Sequence, residues 1–146
     1  MHLDPATPAT EPNDLRSTPI HLGIGGRASL IRGFSWDPDA LAHYREATTR
    51  DGPDGRLVMI FEHHPSVPMH HWERHPAGDE VLVCLTGHLS VEQSQDGNVR
   101  TVHLRQGDAV INPPHAWHRL ESFRAGLVLA ITPGRNTEHT TSVGSA

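Results

Sequence analysis

The stretch HHWERHPAGDEVLVCLTG, residues 70–87, carries the reading of this chain. Side chains at i and i+2 of a strand face the same way, so Glu73 and His75 point to one side together with His71, and Trp72 and Arg74 to the other. Pro76, Ala77 and Gly78 then reverse the chain, which lets Glu80 open the next strand and return a carboxylate beside His75. Leu82 and Cys84 share the side of Glu80 and are expected to fill an interior. Val81, Val83 and Leu85 need cover on the opposite face, as in a strand buried on both sides.

Working outward, the chain from Arg56 onward consists of short runs rich in Val, Leu and Ile, separated by turn residues such as Pro-Ala-Gly, Asp-Gly-Asn and Gln-Gly-Asp. This punctuation predicts strands near Leu57–His63, Met69–His75, Glu80–Thr86, His88–Gln93, Val99–Leu104, Ala109–Asn112, Trp117–Ser122 and Gly126–Thr132, with room for another at Ile20–Ile24. Many short strands at nearly even spacing predict an all-β fold, an antiparallel sandwich or barrel. One short helix is expected at about Pro38–Thr49, where Ser35 or Asp37 can cap, Pro38 suits the first turn, and Leu41, Tyr44 and Ala47 recur at helical spacing. A lid or flap packed on the domain edge is its expected role. Residues 1–18 combine Pro, Thr, Asp and Glu with almost no large apolar side chain and are expected to form a disordered tail. Residues 19–55 then form an N-terminal arm with the helix, 56–133 the β core, and 134–146 a flexible C-terminal tail.

A second stretch, GDAVINPPHAWHRL at 107–120, sets a turn at Gly107–Asp108, a strand, a Pro113–Pro114 corner, and His118 at the start of a further strand. Taken together, these two stretches resemble the cupin superfamily, whose first motif is G(X)5HXH(X)3-4E(X)6G and whose second is G(X)5PXG(X)2H(X)3N. His75, Glu80 and Gly87 match the first in spacing, and Gly107, Pro113 and His118 match the second. The departures are Glu73 where the first motif has its first His, no Gly before it at the usual distance, His115 in place of the second-motif Gly, and Ser122 in place of its Asn. The resemblance covers about residues 56–133. It implies a small single-domain jelly-roll β-barrel holding a divalent transition metal, Fe(II), Mn(II), Zn(II) or Ni(II), on three His and one Glu.

Carried over position by position, the metal ligands are His75, Glu80 and His118, with Glu73 at the place of the missing His. Two imidazoles and one carboxylate on a face are the ligand set of non-haem Fe(II) oxygenases. Glu73 has two chemical readings beside a purely structural one, a carboxylate at the barrel mouth hydrogen-bonded to water or to Arg. As a ligand it gives two carboxylates that balance the charge of a divalent ion, and as a free carboxylate beside the metal it is a catalytic general base.

The other histidines divide by position. His70 and His71 sit near the rim, His71 being a spare ligand candidate by parity. His63, His64, His88, His103 and His139 read as surface or turn residues, and His115 as either a pocket or a loop residue. Trp72 and Trp117 point away from the metal and are expected to pack outside the barrel, against the helix or a second subunit. Cys84 reads as a small core residue. The GIGG run at 23–26 lacks the Lys and helix signature of a phosphate loop.

Composition narrows the function classes. Among 146 residues, Gly 13 and Pro 12 break the chain too often for a helical bundle. Lys and Arg number 12 against 17 Asp and Glu, a formal charge of -5 that argues against nucleic acid as a partner. No apolar run approaches the roughly 20 residues of a membrane span. A single Cys and no basic-then-apolar leader point to a cytoplasmic protein. The functional expectation is a metal-binding cupin, a homodimer acting on a small organic molecule by dioxygenase-like or isomerase/decarboxylase-like chemistry. The alternative is a non-catalytic module that binds or senses a small molecule.

Overall fold

The alternation of apolar residues along the strands decides which faces turn inward. In β6 (Glu80–Cys84), Glu80, Leu82 and Cys84 are buried while Val81 and Val83 are half-buried. In β7 (His88–Gln95), Leu89 and Val91 are sealed from solvent, and Gln93 continues the same inward parity. The computed structural model describes residues 2–5 and 11–144. The remaining strands are β1 (His2–Pro5), β2 (Ile20–Leu22), β3 (Ala28–Arg32), β4 (Arg56–His63), β5 (Trp72–Arg74), β8 (Asn98–Arg105), β9 (Ala109–Asn112), β10 (Trp117–Arg124), β11 (Gly126–Pro133) and β12 (Glu138–Thr140).

All described pairings are antiparallel, and they form two sheets, β1-β3-β2-β4-β11-β6-β9 and β12-β5-β10-β7-β8. The sheets face each other as a jelly roll. Leu57 and Met59 of β4, Leu82 and Cys84 of β6, and Val128 and Ala130 of β11 meet Leu89, Val91, Leu104 and Leu120 from the other sheet in one apolar cluster. The free Cys84 lies in that cluster, where burial raises its thiol pKa, as expected of a small core residue. Helix α1 (Pro38–Ala47) starts where Asp37 accepts a hydrogen bond from the Ala40 amide at 2.8 Å and Pro38 takes the first turn. Thr48 closes it by donating its hydroxyl to the Tyr44 carbonyl at 2.8 Å.

Several expectations change. Residues 2–5, assigned to a disordered tail, pair with β3 through the backbone, which needs no apolar side chains. Within the same expected tail, Asn13 donates to the Thr18 carbonyl and Asp14 accepts from the Arg16 amide, while residues 1 and 6–10 lie outside the described residues. The expected flexible C-terminal tail contains β12, whose polar residues pair with β5; residues 145–146 lie outside the described residues. β5 is shorter than predicted because Pro65 and Pro68 hold the preceding segment in a loop, closed by the Val67 amide donating to the His64 carbonyl.

The exterior differs as well. The guanidinium groups of Arg119 and Arg74 stack over Trp72 and Trp117, 4.6 and 4.5 Å from the ring centroids. His63 is not a surface residue. Its ring is buried, with Nδ1 2.7 Å from Ser122 Oγ and Nε2 3.1 Å from the Thr86 carbonyl, and it fits only because Gly87 has no Cβ to meet it.

Leu89 pairs with Leu104 in register and has no solvent-exposed surface. Leu89→Ala is expected to lower stability by about 2–5 kcal/mol in chemical denaturation, the cost of an unfilled core cavity.

Candidate metal centre

Strand register brings the polar residues of the site into two facing rows. On one sheet Gln93 of β7 lies opposite His118 of β10, His118 opposite Glu73 of β5, and Glu73 opposite His139 of β12. On the other, Glu80 of β6 lies opposite Asn112 of β9. His75 follows β5 directly, held by a turn in which the Gly78 amide donates to its carbonyl at 3.2 Å.

The result is a cluster of Glu73, His75, Glu80 and His118 whose ligand atoms lie within 4.8 Å of one another. Glu80 Oε2 is 3.1 Å from His75 Nε2, and Glu80 Oε1 is 3.0 Å from His118 Nε2. Glu73 Oε1 is 3.4 Å from His118 Nε2 and 3.8 Å from His75 Nε2. His75, Glu80 and His118 are buried, whereas Glu73 keeps 33% of its side chain exposed. All four sequence candidates are thus together. His71, the spare candidate, is exposed and outside the cluster, and His115 is an exposed loop residue.

The donor set fits a divalent first-row ion. Both Nε2 atoms are buried without a hydrogen-bond partner although carboxylate oxygens lie close by, because these contacts lack hydrogen-bond alignment. Nitrogen lone pairs that converge on one point and are otherwise unused suit a shared cation. The two carboxylates match its double charge, and imidazole with carboxylate suits Fe, Zn, Mn or Ni.

Supporting hydrogen bonds fix the ligands. Asn112 Nδ2 donates to Glu80 Oε1 at 3.0 Å and the Thr132 hydroxyl to Glu80 Oε2 at 2.8 Å. Gln93 Nε2 donates to Asn112 Oδ1 at 2.6 Å, and Arg100 Nε to Gln93 Oε1 at 2.6 Å, so a chain of side chains runs from the surface to Glu80. His75 Nδ1 is 3.0 Å from the Thr137 hydroxyl, which leaves Nε2 free for the cluster when Nδ1 carries the proton. Asn112, Gln93, Thr132 and Thr137 carry no motif in the sequence, and His139 reads there as a surface or turn residue. Asn112 and Gln93 were findable, since each is a polar residue in register with inward apolar ones, Val110 and Val91.

Electrostatics follow from this crowding. Burial works against a charged Glu80, but the two imidazoles outweigh it and hold the carboxyl well below its usual range. Burial likewise disfavours a charged His118, yet Glu73 and Glu80 outweigh it and raise its pKa to about 9.

Above the cluster opens a cavity of about 550 Å³. Leu57, Met59, Phe61, Leu82 and Leu120 form apolar walls, and Glu73, His75 and Glu80 the polar floor. Helix α1 contributes Leu41, Tyr44 and Arg45, so the helix expected to be a lid on the domain edge forms part of the cavity wall. Trp36, 64% exposed, stands at the mouth.

With this geometry in place, the family follows. A family model described as a cupin domain matches residues 57–140, more than half of the chain. The chain belongs to the cupin family. Among solved structures, a protein with a double-stranded beta-helix domain from Klebsiella pneumoniae subsp. pneumoniae is 20% identical with a TM-score of 0.48, over 58% of this cupin and 74% of that chain. A cupin-2 domain protein from Shewanella frigidimarina is 18% identical with a TM-score of 0.42, over 53% and 70%. Hydroxypropylphosphonic acid epoxidase from S. wedmorenis is 16% identical with a TM-score of 0.44, over 53% of this chain and only 42% of the epoxidase, well under half of its length. No curated protein matches the chain in sequence.

The pH dependence of the metal-free protein has a definite sign. The contribution of His118 is full below its ordinary value of 6.5 and is lost as pH rises through about 9. That of Glu80 is present above 4.5 and lost as pH falls through its depressed folded value. Thermal melts of metal-stripped protein are expected to show the greatest stability between 4.5 and 6.5 and a decline toward pH 9 that His118→Gln removes. Asn112→Leu, by freeing Glu80 Oε1, is expected to weaken metal binding by about 10–100-fold in a competition titration.

Proposed function

We propose that this cupin binds one divalent transition metal through His75, Glu80, His118 and Glu73 and acts there on a small, largely apolar organic molecule. The observation that carries this reading is the convergence of two unpartnered buried imidazole nitrogens and two carboxylates on the floor of an apolar cavity. A bound metal would supply Lewis acidity and, if redox-active as Fe(II) is, the electrons for dioxygenase-like chemistry.

The roles of the chain's own residues follow from their settings. Glu80 is held at both oxygens by Asn112 and Thr132, so it is a fixed ligand. Glu73 has no such anchor and faces the cavity beside His139, whose Nδ1 is 4.0 Å from Glu73 Oε2. We place Glu73 as the fourth ligand, and as the carboxylate best situated to take a proton from a substrate O–H or C–H if it leaves the metal. The apolar walls exclude water and orient a ligand by shape.

The test is elemental analysis of protein purified without an affinity tag, before and after reconstitution, followed by oxygen consumption with candidate small molecules. About one metal per chain is expected, and His75→Ala or His118→Ala should remove most of it. No divalent transition metal after reconstitution overturns the reading, and metal without turnover of any substrate leaves the binding module. Glu73→Gln is expected to weaken metal binding and Glu73→His to restore it. A Glu73→Gln variant with full metal content and turnover reduced roughly 100-fold or more assigns Glu73 as a base instead.

A further inference from the structure

The metal cluster is tied to the protein surface by a run of hydrogen bonds whose direction is not free. Arg100 of β8 lies opposite Gln93 of β7 in one sheet, and Asn112 of β9 opposite Glu80 of β6 in the other. Gln93 joins the two pairs across the interior. Its Oε1 accepts from Arg100 Nε at 2.6 Å, while its Nε2 donates to Asn112 Oδ1 at 2.6 Å and to the Ile111 carbonyl at 2.8 Å. Asn112 Nδ2 completes the run at Glu80 Oε1, 3.0 Å away. Gln93 and Asn112 are buried, whereas Arg100 is exposed.

The donor and acceptor inventory fixes the polarity of each step. A guanidinium carries donors only, so the end of the Gln93 amide that faces Arg100 must be its oxygen. The amide nitrogen is thereby turned inward, and both of its hydrogens are used, one on the Ile111 carbonyl and one on Asn112. Asn112 must then present Oδ1 to Gln93, which leaves its NH2 group for Glu80. An ionised carboxylate only accepts, so this orientation satisfies it and the reverse one does not. Turning Gln93 over would set its oxygen against the Ile111 carbonyl, and turning Asn112 over would set an oxygen against Glu80, each a buried acceptor facing an acceptor.

We propose that Arg100 is a positioning residue for the metal centre: a donor at the surface, it sets the orientation of two buried amides and so delivers an N–H to Glu80 Oε1, the oxygen 3.0 Å from His118 Nε2. This rests on the metal-binding reading above and adds to it a residue that acts only through Gln93 and Asn112.

Two substitutions of nearly equal shape test it. Arg100→Gln keeps an N–H where Nε stands, Arg100→Glu places an acceptor there, and both remove the positive charge. Zn(II) affinity of the full chain is measured by competition with a chromophoric chelator. Arg100→Gln is expected to stay within about threefold of wild type and Arg100→Glu to bind about 10-fold more weakly, the usual cost of losing an outer hydrogen bond to a metal ligand. Attraction through space has the opposite sign, because an added negative charge favours a cation. Arg100→Met, with neither donor nor charge, is expected to weaken binding too, and it serves if Arg100→Glu does not fold. In metal-stripped protein the Asn112 side-chain amide is expected to be protected from hydrogen exchange in wild type and Arg100→Gln, and to lose protection in Arg100→Glu and Arg100→Met. If no Zn(II) binds at all, the proposed function falls, and this exchange measurement still decides whether Arg100 orients Asn112. Unchanged or raised Zn(II) affinity in Arg100→Glu and Arg100→Met, an Arg100→Gln variant as weak as Arg100→Glu, or equal protection of Asn112 in all four proteins overturns the assignment.

Discussion

A carboxylate sealed between two imidazoles is the constraint on which the rest of this structure depends. Glu80 is buried at the start of β6, and a lone buried charge there would cost more than a marginally stable domain can bear. His75 and His118 lie against its two oxygens, and Asn112 and Thr132 donate hydrogen bonds to them. These four partners come from the turn after β5, from β10, β9 and β11, so both sheets must close before Glu80 is satisfied. The arrangement that makes the interior tolerable is also the one that suits a metal.

What the sequence made legible is what local periodicity and turn chemistry control. Parity around HHWERHPAGDEVLVCLTG put Glu73, His75, Leu82 and Cys84 on inward faces, and the Pro-Ala-Gly turn returned Glu80 to His75. The helix begins at Pro38 as its cap predicts. Polar strands were not legible. β1 and β12 pair with β3 and β5 through the backbone, and a polar stretch reads the same whether it pairs or frays. β12 brings His139 into register with Glu73, so missing that strand also hid part of the site.

A buried polar row, Tyr44–His21–Asp51, with 2.8 Å on either side of the imidazole, was illegible for a different reason. Tyr44 and Asp51 are 23 and 30 residues from His21 and share no motif with it. Only the glycines packed against these side chains mark their meeting. Gly23 belongs to the GIGG run, which signals no phosphate loop but gives the room in which the Asp51 carboxylate sits. His63 was misplaced for a similar reason, because the space it fills is left by Gly87 in the bend between β6 and β7.

The position of β12 in chain order has a consequence for synthesis. Thr137, which holds His75, and His139, which faces Glu73, follow every other strand of the barrel. A nascent chain released only as far as Pro133 can pair β11 with β4 and β6, yet it has no partner for His75 Nδ1 and an open edge on β5. The two sheets can therefore pair before the side chains that support His75 and face Glu73 are in place, so the fold and the detailed geometry of its polar cluster are separable.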